Sequence, residues 1–435
     1  MRGLIAGALL LGGAPLAHAA LSPAERKIAA RVEAGYEPSV ALLEKLVNQN
    51  SGSMNLAGVK AVADMLRPQF EALGFAVTWK PMEAAKRAGH LIATHKGRAG
   101  TTKMLLIGHL DTVFEPDSPY QTFVREGDFA RGPGVADDKG GVVTMLLALQ
   151  AMQAAGTLKD ANIEVVLTGD EEDSGDPIAI ARADLIAAGK RADVALDFEG
   201  LAQEDGKDMG SIARRSSNSW TLTATGKSGH SSGIFSASAG DGAIYELARI
   251  ISAFRKELPE PNLTFNVGLI GGGQSADVDK DGVRIAVTGK TNIIPPVAIA
   301  KGDFRTLSEE QTQRVRAKMQ GIVDAGHLPG TGASIAFDMG YPSMAPTPGN
   351  RALLTKLNAI NRDLGLGEMP ALDPLKRGAG DIAFVAADTD GLVGLGLASS
   401  GDHSPAEKAD LSTMKRQAKR AAILMSRLAG EKGRK

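Results

Sequence analysis

Residues 139–173 read KGGVVTMLLALQAMQAAGTLKDANIEVVLTGDEED, and the fold can be read outward from them. KGGVVTMLLALQAMQAAG carries the length and spacing of a helix, closed by Gly156. NIEVVLTG is a short apolar run of the kind that forms a buried strand, ending at Thr168-Gly169. Asp170, Glu171, Glu172 and Asp173 follow with no basic residue among them. Four carboxylates at the tip of a buried strand repel one another, which raises the cost of ionising each. They are either a solvated acidic loop or a place for a cation.

The same alternation runs on both sides. KMLLIGHLDTV reads as a strand before the helix, PIAIARADLIAAGK as a helix after the acidic loop, and ADVALDFE as the next strand. Buried strands alternating with helices specify an α/β fold, a mainly parallel sheet flanked by helices. Two helical stretches, 22–49 and 55–75, precede it. Near residue 212 the pattern changes. NSWTLTATGKSGHSS, AGDGAIYELARIISAFRKEL, NLTFNVGLIGG, NIIPPVAIAKGDFR, SEEQTQRVRAKMQGIVDAG and ASIAFDMG give β-α-β-β-α-β, the order of a small ferredoxin-like α+β domain. The α/β pattern resumes near 330 and ends in a helix from Ser412 to about Gly430. The expected organisation is one catalytic α/β domain, 20–211 and 330–435, interrupted by an inserted domain at 212–329.

The chain has 435 residues, 43% hydrophobic and 23% charged, with a formal net charge of −1. That balance gives no electrostatic case for nucleic acid or an anionic membrane as partner. There is no cysteine, so any metal must be held by His, Asp and Glu. The first residues, MRGLIAGALLLGGAPLAHAA, have a basic Arg2, an apolar run from Leu4 to Leu11 and an Ala17-His18-Ala19 cleavage pattern. This is the anatomy of a signal peptide over 1–19, and the expectation is a secreted or periplasmic protein cut near Ala19-Ala20.

The acidic cluster has company. His109 and Asp111 are two apart at a strand end, so their side chains face the same way. A metal-bound imidazole commonly donates its other N–H to a carboxylate, a part Asp111 suits. Asp137 sits in the glycine-rich GPGVADDKGG before a helix, Asp197 and Glu199 in LDFEG close another strand, and His403 lies in the late loop GDHSPAE. Ligands of open α/β sheets gather beyond the carboxyl ends of the strands, where these groups are expected. Imidazoles with carboxylates, one able to bridge, suit a pair of zinc-type ions better than calcium, which wants more oxygens.

Taken together, GHLDTV, GPGVADDKGG, DEE, DFEG, GKSGHS, NIIP and DHS resemble the co-catalytic dizinc peptidases and amidohydrolases. That family includes bacterial glutamate carboxypeptidase, aminoacylase, peptidase T and succinyl-diaminopimelate desuccinylase, and the glutamate carboxypeptidase branch is nearest. The resemblance covers residue 40 to the C-terminus. It implies two Zn²⁺, with cobalt as a substitute, held by His109, Asp137, Glu172, Glu199 and His403. Asp137 would bridge, Glu172 and His403 would complete one site, and Glu199 the other with His109. Asp111 would orient His109, and Glu171 would stay off the metal as general base. His230 would stabilise the intermediate from a partner subunit, and the peptide after Asp137 would be cis. Arg305, Asn292 and the backbone N–H groups of Gly378 and Gly380 would meet the substrate.

The implied activity is a zinc carboxypeptidase releasing an acidic amino acid such as glutamate. The alternatives are an N-acyl-amino-acid amidohydrolase or dipeptidase, and a peptidase-like protein kept only for binding. The expected substrate is a small peptide or N-acyl amino acid. A homodimer through the inserted domain is expected, with strand 217–225 and helix 240–257 compatible with pairing across subunits. RGAGD at 377–381 replaces a more usual Gly-Gly-Thr-Asp, and the connection 271–290 is longer than in close relatives, which leaves glutamate specificity open. Asp170, Asp173 and Asp176 read as solvated loop; His90, His95 and His327 read as structural or solvated.

Overall fold

A computed structural model describes residues 21–434. The signal-peptide segment therefore lies outside the described residues. No helix among those described is long and apolar enough to cross a membrane.

Six strands form the larger sheet, in the order Ala76–Met82, Arg87–His95, Asn162–Thr168, Lys103–His109, Val194–Asp197, Asp390–Val393. The last four pair in parallel, and Arg87–His95 runs antiparallel to both its neighbours. Lys103–His109 is buried at every position after Lys103, which is why it reads as a continuous apolar run. Helix Lys139–Ala155 is buried on almost every face, because helices Pro23–Val47 and Ser412–Leu428 pack against it on the side away from the sheet. The first of these comes so close that a Cβ on Gly35 would sit 2.6 Å from Leu147 Cδ1. Gly156, at φ +77°, ends the helix in the left-handed conformation.

The smaller sheet has the order Thr264–Gly273, Val297–Arg305, Asn218–Gly226, Thr331–Phe337, antiparallel throughout. Helices Ala243–Glu257 and Glu309–Asp324 cover one face, around Trp220, Leu222, Leu247, Phe254, Phe304 and Met319. This is the ferredoxin-like arrangement. The long connection contains a hairpin, Ser275–Val278 with Ile285–Thr288. The two crossings between the sheets run side by side, joined by antiparallel bridges Arg214 to Met344 and Ser217 to Tyr341.

Three sequence expectations change. Strands Ala76–Met82 and Arg87–His95 were not anticipated. The helix expected over 177–190 is broken into Ile178–Ala181 and Ala183–Arg191 at Arg182, a fully buried side chain drawn into an ion network. Asn218–Gly226 lies inside its sheet with a partner on each side, so its backbone cannot pair with another subunit. Thr264–Gly273 is a free edge of that sheet, where Ile270 is exposed, and Ile244 and Tyr245 are exposed on helix Ala243–Glu257.

Candidate metal centre

The strands deliver their chemistry at their carboxyl ends. His109 is the last residue of its strand, the acidic cluster begins two residues after Thr168, and Glu199 follows two residues after Asp197. Asp137 enters from the loop before helix Lys139–Ala155, and the Asp137–Asp138 peptide is cis.

At the centre one carboxylate lies between two imidazoles. Asp137 Oδ1 is 2.9 Å from His109 Nε2, and Asp137 Oδ2 is 3.1 Å from His403 Nε2. Glu172 Oε2 is 3.2 Å from the same His403 nitrogen. Ligand atoms of His109, Asp137 and Glu172 all lie within 4.8 Å of one another. Donors around a tetrahedral zinc, at bonds of about 2.0–2.2 Å, stand roughly 3.3–3.6 Å apart. Small outward shifts would thus admit an ion on each side of Asp137, and the donor set fits two zinc-type cations. His403 occupies the left-handed region at φ +61°, an unusual place for a residue with a Cβ and one that recurs at functional sites.

Asp111 does more than face an imidazole. Its Oδ1 lies 3.3 Å from His109 Nδ1, and its two oxygens accept the backbone N–H groups of Glu171 at 3.0 Å and Glu172 at 3.1 Å. Ser53 adds a hydroxyl at 2.6 Å. One buried carboxylate thereby fixes a histidine and the Glu-Glu pair together. Burial works against the charge on His109, but Asp111 and Asp137 outweigh it and hold its pKa well above the ordinary value.

The acids divide sharply. Burial pushes Glu172 up to about 10, with repulsion from Asp137 added. Burial, then Glu199, raises Glu171 well above the ordinary range. Asp137 goes the other way: burial opposes its charge, but the two histidines hold it low. Among the described residues the Glu171 carboxylate has no hydrogen-bond or ion-pair partner; only its backbone is tied, to Asp111 and to the Tyr341 hydroxyl.

Glu199 stands outside the three-residue cluster. One of its oxygens is 2.5 Å from Arg214 Nη1. Arg214 also donates to the carbonyls of Gly378 and Ala379, and a Cβ on Gly380 would meet its guanidinium at 2.6 Å. Two carbonyls of the 377–381 loop thus face an arginine, and Gly380 makes room for it. Arg305 stands beside this loop, 3.5 Å from where a Cβ on Gly378 would lie. His230 and Asn292 meet each other on the smaller sheet's side: His230 pairs with Ile293, and Ser231 N–H donates to the Asn292 carbonyl. Both are exposed, and among the described residues the His230 side chain bonds only locally, to Ser232.

Asp170 is not solvated loop. It is wholly buried and paired with Arg182 at 2.7 Å, whereas Asp173 stays exposed and meets Arg87 at 2.7 Å. His90 and His95 accept structural places against the carbonyls of Ala181 and Ala161, and His327 pairs with Glu246.

The sequence reading passed over Glu407, four residues after His403. Its carboxylate is buried and accepts the N–H groups of Gly134, Ala136 and Asp137 at 3.0, 3.0 and 3.3 Å. Burial pushes its pKa up to about 7, against the pull of those donors. It clamps the loop carrying Asp137 to the loop carrying His403. Glu407→Gln keeps the size but turns an amide N–H toward a backbone N–H. The expected result is zinc affinity weaker by about 10–100-fold in chelator competition, the usual scale for groups that support ligands. Unchanged affinity would remove Glu407 from the metal's support.

Residues 105–427 match the sequence profile of peptidase family M20/M25/M40. The chain belongs to that family. It is 27% identical to carboxypeptidase G2 of Pseudomonas sp. (strain RS-16) over 434 residues, 98% of each chain. A tripeptidase from Staphylococcus aureus shares the fold with a TM-score of 0.70 at 20% identity, covering 91% of this chain and 99% of that one. A Bacillus subtilis protein described as a dinuclear metal-binding peptidase of the same family superposes with a TM-score of 0.64 at 15% identity, covering 92% and 99%. The protein is a metallopeptidase-family hydrolase with a metal-binding cleft at the carboxyl ends of its parallel strands.

Proposed function

We propose that this hydrolase is a dizinc carboxypeptidase that cleaves a C-terminal amide bond and releases an acidic amino acid. The observation that carries the reading is the Asp137 carboxylate set between His109 and His403, with an uncommitted Glu171 alongside. The relationship to carboxypeptidase G2 over nearly the whole chain supports the carboxypeptidase arm.

Two bound cations would supply Lewis acidity, lowering the pKa of a shared water and stabilising negative charge on the carbonyl oxygen. The rest falls to the chain. Asp111 holds the Glu171 backbone so that its carboxylate faces the cleft. Glu171 takes the proton from the attacking water and returns it to the departing amine. A buried carboxylate with a raised pKa suits the first step, since it is a stronger base than an exposed one.

Hydrolysis of peptides and N-acyl amino acids ending in Glu, Asp, Leu or Arg tests the reading. Preferential release of Glu or Asp supports it. Cleavage confined to N-acyl amino acids, or to dipeptides, would move the protein to the amidohydrolase or dipeptidase alternative, and zinc-loaded protein inert on the whole panel would refute it.

We further propose a homodimer in which His230 completes a neighbour's site. Its exposure, its lack of contact with the metal cluster, and the apolar Ile244, Tyr245 and Ile270 beside a free strand edge support this. Mixing Glu171→Ala with His230→Ala chains would regenerate one intact site per heterodimer. Recovered activity is expected; none, with subunit exchange confirmed, would contradict it.

A further inference from the structure

Arg214 has its counter-charge in Glu199. Among the described residues its neighbours Arg215 and Arg377 have no such partner, and Arg305 has only a partly exposed one. Arg215, Arg305 and Arg377 come from three segments: a crossing between the sheets, the end of strand Val297–Arg305, and the loop before Gly378. They converge on one corner. Arg215 Nε lies 3.4 Å from the Arg377 carbonyl, and Arg305 Nη1 lies 3.5 Å from where a Cβ on Gly378 would be. Arg377 Nη2 donates to the Gly200 carbonyl at 2.5 Å, next to Glu199, so this corner adjoins the metal cleft.

Among the described residues, neither Arg215 nor Arg377 has a carboxylate within 4.0 Å, and Arg305 has only the partly exposed Asp303, at 3.6 Å. Arg377 Nε is buried with no hydrogen-bond partner. All three side chains are half-buried, close enough to the surface for a ligand to reach. Burial, then the charge of Arg305, depresses the Arg215 pKa, and burial, then Arg214, depresses that of Arg377. Half-buried guanidiniums with no carboxylate in direct contact, or only a partly exposed one, are costly to hold beside other arginines, and a bound anion relieves that cost. Planar carboxylates match the guanidinium fork. One fork is enough for the α-carboxylate of a C-terminal residue. The others remain for a second negative group.

We infer that Arg377, assisted by Arg215, binds the side-chain carboxylate of the released residue and sets a preference for Glu or Asp over their amides, while Arg305 takes the α-carboxylate. This rests on the carboxypeptidase reading above and names the residues that would give it acidic specificity. The arginine stands in the RGAGD stretch, whose departure from the family's usual pattern left specificity open.

The test compares kcat/KM for a matched pair of substrates, one ending in Glu and the other in Gln, using zinc-loaded full-length protein. Wild type should favour Glu. Arg377→Gln should reduce the Glu-to-Gln selectivity ratio by roughly 10–100-fold, the scale of a lost hydrogen bond to a charged group. Arg377→Lys should restore part of it, and Arg215→Gln should reduce it independently, so the outcome does not depend on one variant folding. A wild type that cleaves both substrates equally, or a ratio unmoved in both glutamine variants, would overturn the inference and leave the carboxypeptidase reading standing. A wild type that cleaves neither substrate, nor any other C-terminal amide, would overturn both.

Discussion

Glu171→Gln is expected to lower kcat by about 10²–10⁴-fold, the usual worth of a positioned general base, while both metal positions stay filled. The geometry separates the two adjacent glutamates. Glu172 reaches His403 at 3.2 Å and belongs to the ligand cluster. The Glu171 carboxylate touches none of the cluster's donors, although its backbone is pinned by the same Asp111 that pins Glu172. The isosteric amide keeps the volume and the backbone bonds but cannot take a proton from water. Glu172→Gln is expected to fail differently, through weakened metal binding. Zinc content measured alongside single-turnover rates separates the two outcomes. Near-normal turnover by zinc-loaded Glu171→Gln would show that the proton goes elsewhere.

Arg182→Leu is expected to destabilise the fold by about 3–5 kcal/mol, the cost of stranding buried charges. Arg182 is fully buried and donates to Asp170 at 2.7 Å, to Asp381 at 2.8 Å and to the Asp170 carbonyl at 2.9 Å. Without it, two carboxylates remain in the interior with no cation between them. The damage should reach the active site, because Asp170 begins the acidic loop and also accepts the Gly175 N–H at 2.8 Å, closing that loop on itself. Tyr341 links the same network to the Glu171 carbonyl at 2.9 Å. Urea unfolding of metal-free protein isolates the stability term. A loss below about 1 kcal/mol, the range of an exposed ion pair, would mean that water or a shift in protonation replaces the arginine.

These two results also mark where the sequence was readable. Lys103–His109 and Asn162–Thr168 announce themselves because a parallel strand buried on both faces is apolar throughout. The edge strand Ala76–Met82 is exposed or half-buried at all but its last position and contains Lys80 and Pro81, so it carries no such run. His109 and Glu172 were legible through short motifs just at or after neighbouring strand ends, and Asp137 and His403 through short motifs in loops that border them. Asp170 was not. It sits in the same acidic run as Asp173, but Arg182, at the break between two helices, pairs with Asp170 in the interior while Asp173 stays exposed against Arg87. Arg214 on Glu199 and Glu407 on the Asp137 loop were hidden for a related reason. Each is a partner chosen by the packing of distant segments, which leaves no periodic trace along the chain.

Metal stoichiometry tests the central claim most directly. Metal-free protein titrated with Zn²⁺ in weak buffer should bind two ions per chain. It should release protons as it does so, because Glu172, held near 10 by burial, must lose its proton to become a ligand. By the same sign, zinc affinity should rise with pH across the neutral range. Asp137→Ala, which removes the carboxylate between the two imidazoles, should abolish tight binding of at least one ion, while Glu171→Gln should retain both. One ion or none in folded wild-type protein, or an ion lost with Glu171→Gln, would contradict the account.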